Sequence, residues 1–258
     1  MATIKLKGGE IDRRSFLCGA ASAGLAGVVA GPAFAQALPV PDFEDFGTLY
    51  AAVTDGGHRL PAIPWQKIDK RYLRQVVPSP SLDKAGSIVV DANTKFLYFQ
   101  LGNGKAIRYG VSLGKAGFDW TGKAVIEYRK AWPVWTPPPE MIKRRPELAQ
   151  YAKGMPPGPQ SPLGARALYL FKDGRDTMYR IHGTPEWNSI GKNASSGCLR
   201  MLNQDVMDLY ARVAKATPVT VQHSMYLGAS SGATGRSAAE AEAIDTGVPD
   251  GAEKMEQG

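Results

Sequence analysis

Between Ile181 and Met201 the chain reads IHGTPEWNSIGKNASSGCLRM, which sets His182 and Cys198 sixteen positions apart in a protein holding only three His and two Cys. A thiol with a reference pKa of about 8.5 is mostly protonated at neutral pH, and it attacks efficiently only when a base or a positive environment favours the thiolate. A neighbouring imidazole can act as that base. Gly183, Pro185, Asn188, Gly191 and Asn193 suit a loop that turns the chain back, so that Cys198 faces His182. Gly197 permits a backbone that aims the amides of Gly197 and Cys198 at a developing oxyanion. Taken alone, the pair also allows a plainer reading. Buried thiols are common, and a His before Gly often only satisfies a turn.

Other chemistries lack their residues. His58 and His223 are far from the pair in sequence, and no C-x-x-C or H-E-x-x-H spacing exists, so neither a metal site nor a cofactor is expected. Neither a G-x-S-x-G elbow nor a phosphate-cradling Gly loop is present. The net charge of +7 favours anionic partners. Without a Lys/Arg run or a basic helix, nucleic acid is not among them.

The elements that must position the pair read as β-rich. Ser87 to Asp91, Lys95 to Gln100 and Ala106 to Ser112 are β-branched and aromatic runs separated by the turn residues Ala92-Asn93-Thr94 and Gly102-Asn103-Gly104, which predicts an antiparallel meander. Further strands are expected at Lys123 to Tyr128, Ala165 to Phe171, Thr177 to His182 and Pro218 to Gln222. In the strand ending at His182, alternation puts Met178, Arg180 and His182 on one face and Tyr179 and Ile181 on the other. After Cys198, Asn203 is placed to cap a helix with Val206, Leu209, Tyr210 and Val213 at helical spacing.

Between Trp132 and Pro162 nine prolines exclude a central strand or long helix. This reads as an irregular loop, 132–162, with a short helix at Glu147 to Lys153. A long loop on a β scaffold commonly forms a lid or one wall of a cleft. Residues 36–82 read as an N-terminal arm lying on the body, with a short helix at Lys67 to Gln75. Residues 225–258, rich in Ala, Gly, Ser and Glu, read as a disordered tail.

Residues 1–35 read as an export signal: Lys5, Lys7, Arg13 and Arg14 precede a mildly apolar run from Phe16 to Val29, and Ala33-Phe34-Ala35 offers a cleavage site. The run is too short and too weakly apolar for a membrane anchor, so none is expected after cleavage. Arg13-Arg14-Ser15-Phe16-Leu17 resembles the twin-arginine signal, with Asp12 and Cys18 departing from the usual Ser and Lys. A general secretory signal is the alternative. Cleavage removes Cys18, which leaves Cys198 without an internal disulfide partner, as a buried thiol, an intermolecular bridge or a reactive group. The protein is expected in the periplasm or cell wall.

His182-Gly183-Thr184, Ile190-Gly191 and Ser195-Ser196-Gly197-Cys198-Leu199-Arg200-Met201 together resemble the signature of the bacterial L,D-transpeptidases, the YkuD-like catalytic domain. Ser161-Pro162-Leu163-Gly164 resembles the family's N-P-L-G, and Trp135-Thr136-Pro137-Pro138 resembles the start of its substrate loop. The resemblance implies an α+β fold that is mainly β, an antiparallel sandwich over 83–224 with the catalytic loop at one edge. It implies a Cys198 nucleophile that attacks a peptidoglycan stem peptide, expels D-Ala and becomes a thioester. His182 is then the base, oriented by the Gly183 carbonyl, with Gly197 and Cys198 supplying oxyanion amides. Arg200 holds the site together or contacts a carboxylate, while Ser195, Ser196, Trp135 and Thr184 face substrate. The acceptor is a stem-peptide amine, a protein amine or water, the last making an L,D-carboxypeptidase. A wall-binding module without turnover is the competing reading. Ser196 stands where the commonest family form has His, which leaves His182 as the sole candidate base.

Overall fold

The computed structural model describes residues 37–114, 121–194 and 198–223. The expected export signal and tail, together with Ser195, Ser196 and Gly197, lie outside the described residues. Helix α1 (Phe46–Leu49) precedes a hairpin of β1 (Val53–Asp55) and β2 (His58–Leu60). Then come β3 (Gln75–Pro78), β4 (Ile88–Asp91), β5 (Phe96–Gly102), β6 (Lys105–Gly110), β7 (Ser112–Gly114) and β8 (Gly122–Ala131). The Pro-rich loop carries α2 (Pro139–Arg144). Beyond it lie β9 (Arg166–Lys172), β10 (Arg175–Thr184), β11 (Asn193–Ala194), β12 (Leu199–Leu202), α3 (Asn203–Arg212) and β13 (Thr217–Gln222).

Eleven of these strands share one sheet in the order β11-β7-β12-β10-β9-β8-β13-β4-β5-β6-β3. Only Val111 separates β6 from β7 in the chain, yet the two stand near opposite ends of that order. The sheet must therefore curl until its ends approach, and β6 does touch β12. Its enclosed face is packed with Leu97, Phe99, Ile107, Ile126, Leu168 and Ile181, closed by Val206 and Leu209 of α3. Burying such side chains is the main drive for closure, at about 1.5–3 kcal/mol each.

The mainly β fold with few helices is as expected, and so is the antiparallel meander β4-β5-β6. What the sequence reading lacked is the mixed character of the sheet. β10 pairs parallel with β12, β11 with β7, and β13 with β4. Parallel neighbours need a crossover, and residues 185–198 make one between β10 and β12. That is why a loop of such length separates the His from the Cys.

Three local expectations change. The helix expected at Lys67 to Gln75 is a 3-10 turn, Lys70–Tyr72, followed directly by β3, because the β-branched Val76 and Val77 pair with β6. The arm thus supplies an edge strand rather than merely lying on the body. In the Pro-rich loop, the helix expected at Glu147 to Lys153 is a 3-10 helix at Pro146–Tyr151, and α2 comes before it. Pro139 and Pro146 each sit at a first helical position, where a missing N–H costs nothing. A buried cluster also ties the arm to α3: the Tyr50 hydroxyl donates to Asp205 at 3.3 Å, and Arg74 reaches Asp208 at 3.1 Å.

Candidate active site

β10 carries His182 and β12 begins one residue after Cys198. The alternation read over Met178, Arg180 and His182 is interrupted by a register shift against β9 between Asp176 and Arg180. Met178 has φ +63° and is 73% exposed, while the Asp176 carboxylate takes Arg180 at 2.7 Å through both guanidinium ends. Beyond the shift, Ile181 opposes Leu199 and His182 opposes Arg200. Extending that register places Cys198 opposite Arg180, and a backbone hydrogen bond does link Arg180 to the thiol. Opposed residues in a parallel ladder face the same way. Cys198 and His182 therefore share a face, diagonally placed with Cα atoms on the order of 8 Å apart by strand geometry.

His182 is buried, and its Nδ1 lies 2.7 Å from the Gly183 carbonyl oxygen. A carbonyl only accepts, so Nδ1 carries the proton and Nε2 keeps its lone pair. Burial is the largest cause lowering the imidazole pKa to about 4. The charges of Arg200 and Arg180 lower it further, against the hydrogen bond to Gly183. Cys198 is partly buried, and burial raises its pKa, opposed by the Arg180 backbone bond and the same two guanidiniums. The resting pair is thus a neutral thiol beside a neutral base, in a field of two cations that favours negative charge on sulfur.

The Gly183 carbonyl is itself held in place. Asn203 accepts from the Ala165 amide at 2.9 Å and donates to the Thr184 carbonyl at 3.1 Å, which pins the end of β10 to the start of β9. It therefore does not cap α3. It is the first helical residue, behind Leu202, and its side chain is engaged elsewhere. A Cβ on Gly183 would fall 2.3 Å from Asn203 Oδ1, and one on Gly164 would fall 2.2 Å from the same oxygen. Both glycines exist to admit this amide, and Gly164 also needs φ +59°. Gly183→Ala is expected to lower unfolding free energy by about 2 kcal/mol through overpacking. Denaturant titration checks this, and an unchanged midpoint would mean that the Asn203 clamp yields freely.

Arg200 is 15% exposed and pairs with Glu186 at 2.9 Å, so the crossover anchors the cation opposite the base. Nothing in the sequence pattern singled out Glu186 or Asn203 for these roles. Thr184 is 2% exposed, and its hydroxyl accepts from the Glu186 amide at 3.1 Å. With Ile63, Pro64, Pro159, Trp187 and Asn203 it borders a cavity of about 380 Å³. Trp135 is half-buried and bridges to Met155 in antiparallel fashion, folding the Pro-rich loop on itself. Tyr72 of the arm lies against Gly191 so closely that a Cβ there would meet its ring at 2.4 Å. Among the described residues no group of three His, Cys, Asp or Glu could hold a metal ion.

Comparison with known proteins places the chain in a family. The family model described as the L,D-transpeptidase catalytic domain, YkuD, matches residues 85–221, and the chain belongs to that family. It is 33% identical over 145 residues to the "Probable L,D-transpeptidase YbiS" of Escherichia coli K12, covering 54% of this chain and 45% of that protein. It is 30% identical over 148 residues to the "Probable L,D-transpeptidase ErfK/SrfK" of the same strain, covering 55% and 45%. The chain therefore spans less than half the length of these relatives. A solved structure from Brucella melitensis, described as a "Probable carnitine operon oxidoreductase caia", is 45% identical with a TM-score of 0.42, covering 58% of this chain and 94% of that one.

Proposed function

We propose that this chain is a cysteine acyl-transferase of the cell wall, an L,D-transpeptidase acting on peptidoglycan stem peptides. One observation carries the reading. The Gly183 carbonyl fixes the imidazole tautomer so that Nε2 is a free base, on the sheet face shared with the single Cys of the family-matched span. As substrate binds, Nε2 takes the Cys198 proton and sulfur attacks the carbonyl carbon that follows the L-centre of the diamino acid. The oxyanion is assigned to the amides of Gly197 and Cys198, as the family resemblance implies. The imidazolium returns its proton to the departing amine, D-Ala leaves, and a thioester remains. An acceptor amine then loses a proton to Nε2, attacks the thioester and regenerates the thiol. A stem-peptide amine gives a 3→3 cross-link, a protein amine gives an anchored protein, and water gives hydrolysis.

Arg200, held by Glu186, supplies positive charge beside sulfur throughout. Ser195, Ser196, Trp135 and Thr184 are proposed to face substrate, and the Pro-rich loop to form one wall of the groove. Export to the periplasm or cell wall, by the twin-arginine route, completes the proposal. Among the described residues no helix is long and apolar enough to cross a membrane.

Incubation with disaccharide tetrapeptides followed by mass analysis reports donor, acceptor and hydrolysis together. Release of D-Ala with a mass gain on an amine acceptor is the expected result, whereas no release of D-Ala would overturn the proposal. Excising Pro137 to Pro159 is expected to raise KM at least about tenfold while the folded fraction stays near that of the parent, since the loop aligns substrate rather than filling the core. A large fall in melting temperature with unchanged activity per folded molecule would contradict that role.

A further inference from the structure

The hairpin β1-β2 lies outside the span matched by the family model, yet it reaches both ends of the Pro-rich loop. Asp55 receives Arg166 bidentately at 2.8 and 2.9 Å, and the indole N–H of Trp132 donates to it at 2.7 Å. Trp132 is where the loop leaves β8, and Arg166 is where β9 begins after it. The neck between them is closed by the Trp132 amide donating to the Ala165 carbonyl at 2.8 Å. Trp132 has φ +46°, a left-handed conformation uncommon for a bulky residue, so something beyond local preference must hold it. The hairpin supplies that hold from three sides. Asp55 takes the indole N–H, the His58 ring sits 4.3 Å from the indole, and Gly56 approaches so closely that a Cβ would lie 2.8 Å from it.

We propose that Asp55 is a positioning residue that latches both roots of the Pro-rich loop, so that the N-terminal hairpin fixes how that loop stands over the substrate groove. The catalytic consequence rests on the function proposed above; the mechanical part does not. A planar guanidinium fork on a carboxylate fixes orientation as well as distance, and a third charge-assisted donor on the same carboxylate ties loop entrance and exit to one point. Asp55 does not touch the reacting atoms. Its effect passes through Trp132 and Arg166 to the loop, which is expected to change binding of an extended substrate more than the chemistry at Cys198.

Asp55→Asn keeps the shape and an acceptor but removes the charge, and Trp132→Phe keeps an aromatic side chain, smaller than the indole, but removes the N–H that Asp55 accepts. Hydrogen exchange in the intact chain tests the latch without any substrate. Peptides spanning Val134 to Ser161 are expected to exchange about tenfold faster in Asp55→Asn, and less so in Trp132→Phe, with β5 peptides unchanged. Loop exchange at the parent rate in both variants, or acceleration in β5 equal to that in the loop, overturns the proposal. In kinetics, KM for a disaccharide tetrapeptide should rise about tenfold in Asp55→Asn with kcat within about threefold. Acylation by a small carbapenem, an acyl donor that the family resemblance implies would react at Cys198, should stay within about twofold of the parent. Parallel loss of carbapenem acylation and turnover, scaled by folded fraction, assigns Asp55 a merely structural role and overturns the claim. If the parent itself neither turns over stem peptide nor is acylated, the proposed function fails, while the exchange result still decides the latch.

Discussion

Cys198→Ala should fold and form no covalent adduct with either a carbapenem or a tetrapeptide stem, whereas the parent gains one adduct mass per chain. The thiol is partly buried at the start of β12 and takes its bond from the Arg180 backbone, so deleting one sulfur costs about 1 kcal/mol of stability and leaves the ladder β10-β12 in place. With no other Cys in the family-matched span, nothing replaces it as nucleophile. Intact mass measured alongside circular dichroism checks both halves. An adduct on the variant, or undiminished D-Ala release, would remove Cys198 from the mechanism.

His182→Ala should slow acylation by roughly 10²- to 10⁴-fold at neutral pH, the usual worth of a positioned general base. The pH dependence is the sharper test. The parent imidazole, with its pKa lowered to about 4, is a competent base at neutral pH and loses that role only as pH falls through about 4. The parent profile should therefore be nearly flat from mildly acidic to neutral pH. The variant has only pre-formed thiolate to react, and burial holds the thiol pKa up, so its rate should climb about tenfold per pH unit through the same range. The deficit thus shrinks toward alkaline pH. A variant profile parallel to the parent's would exclude His182 as the base.

Stability carries the same signature. The folded imidazole pKa lies below the unfolded value of about 6.5, so the unfolded chain binds the extra proton between the two. As pH falls from about 6.5 to 4, His182 should cost the parent on the order of 3 kcal/mol that His182→Ala does not lose.

The strands were legible because their β-branched and aromatic runs are bounded by turn residues, as at Ala92 to Thr94 and Gly102 to Gly104. His182 and Cys198 stood out by rarity and spacing. The parallel join between their strands was not legible, because Ile181 and Leu199 read the same whichever way their strands run. Nor did Asn203 announce its task. Its place after Cys198 fits a cap, and only the meeting of Gly164 with Gly183 in space shows why its amide is wanted between β9 and β10. Glu186 and Asp55 were silent for a related reason. Each answers an arginine that lies 14 and 111 positions away respectively, and a single chain carries no mark of such distant pairings.

The passage of one continuous stretch through Val111, from near one margin of the sheet to near the other, ties remote strands into a single unit. Thiol and imidazole come to share a face only once β10 and β12 have paired, and the far side of β12 is lined by β7, which the chain reaches through Val111 from near the other end of the strand order. Under the proposed function, acylation at sulfur therefore also measures completed assembly, counting the molecules in which those strands have come together.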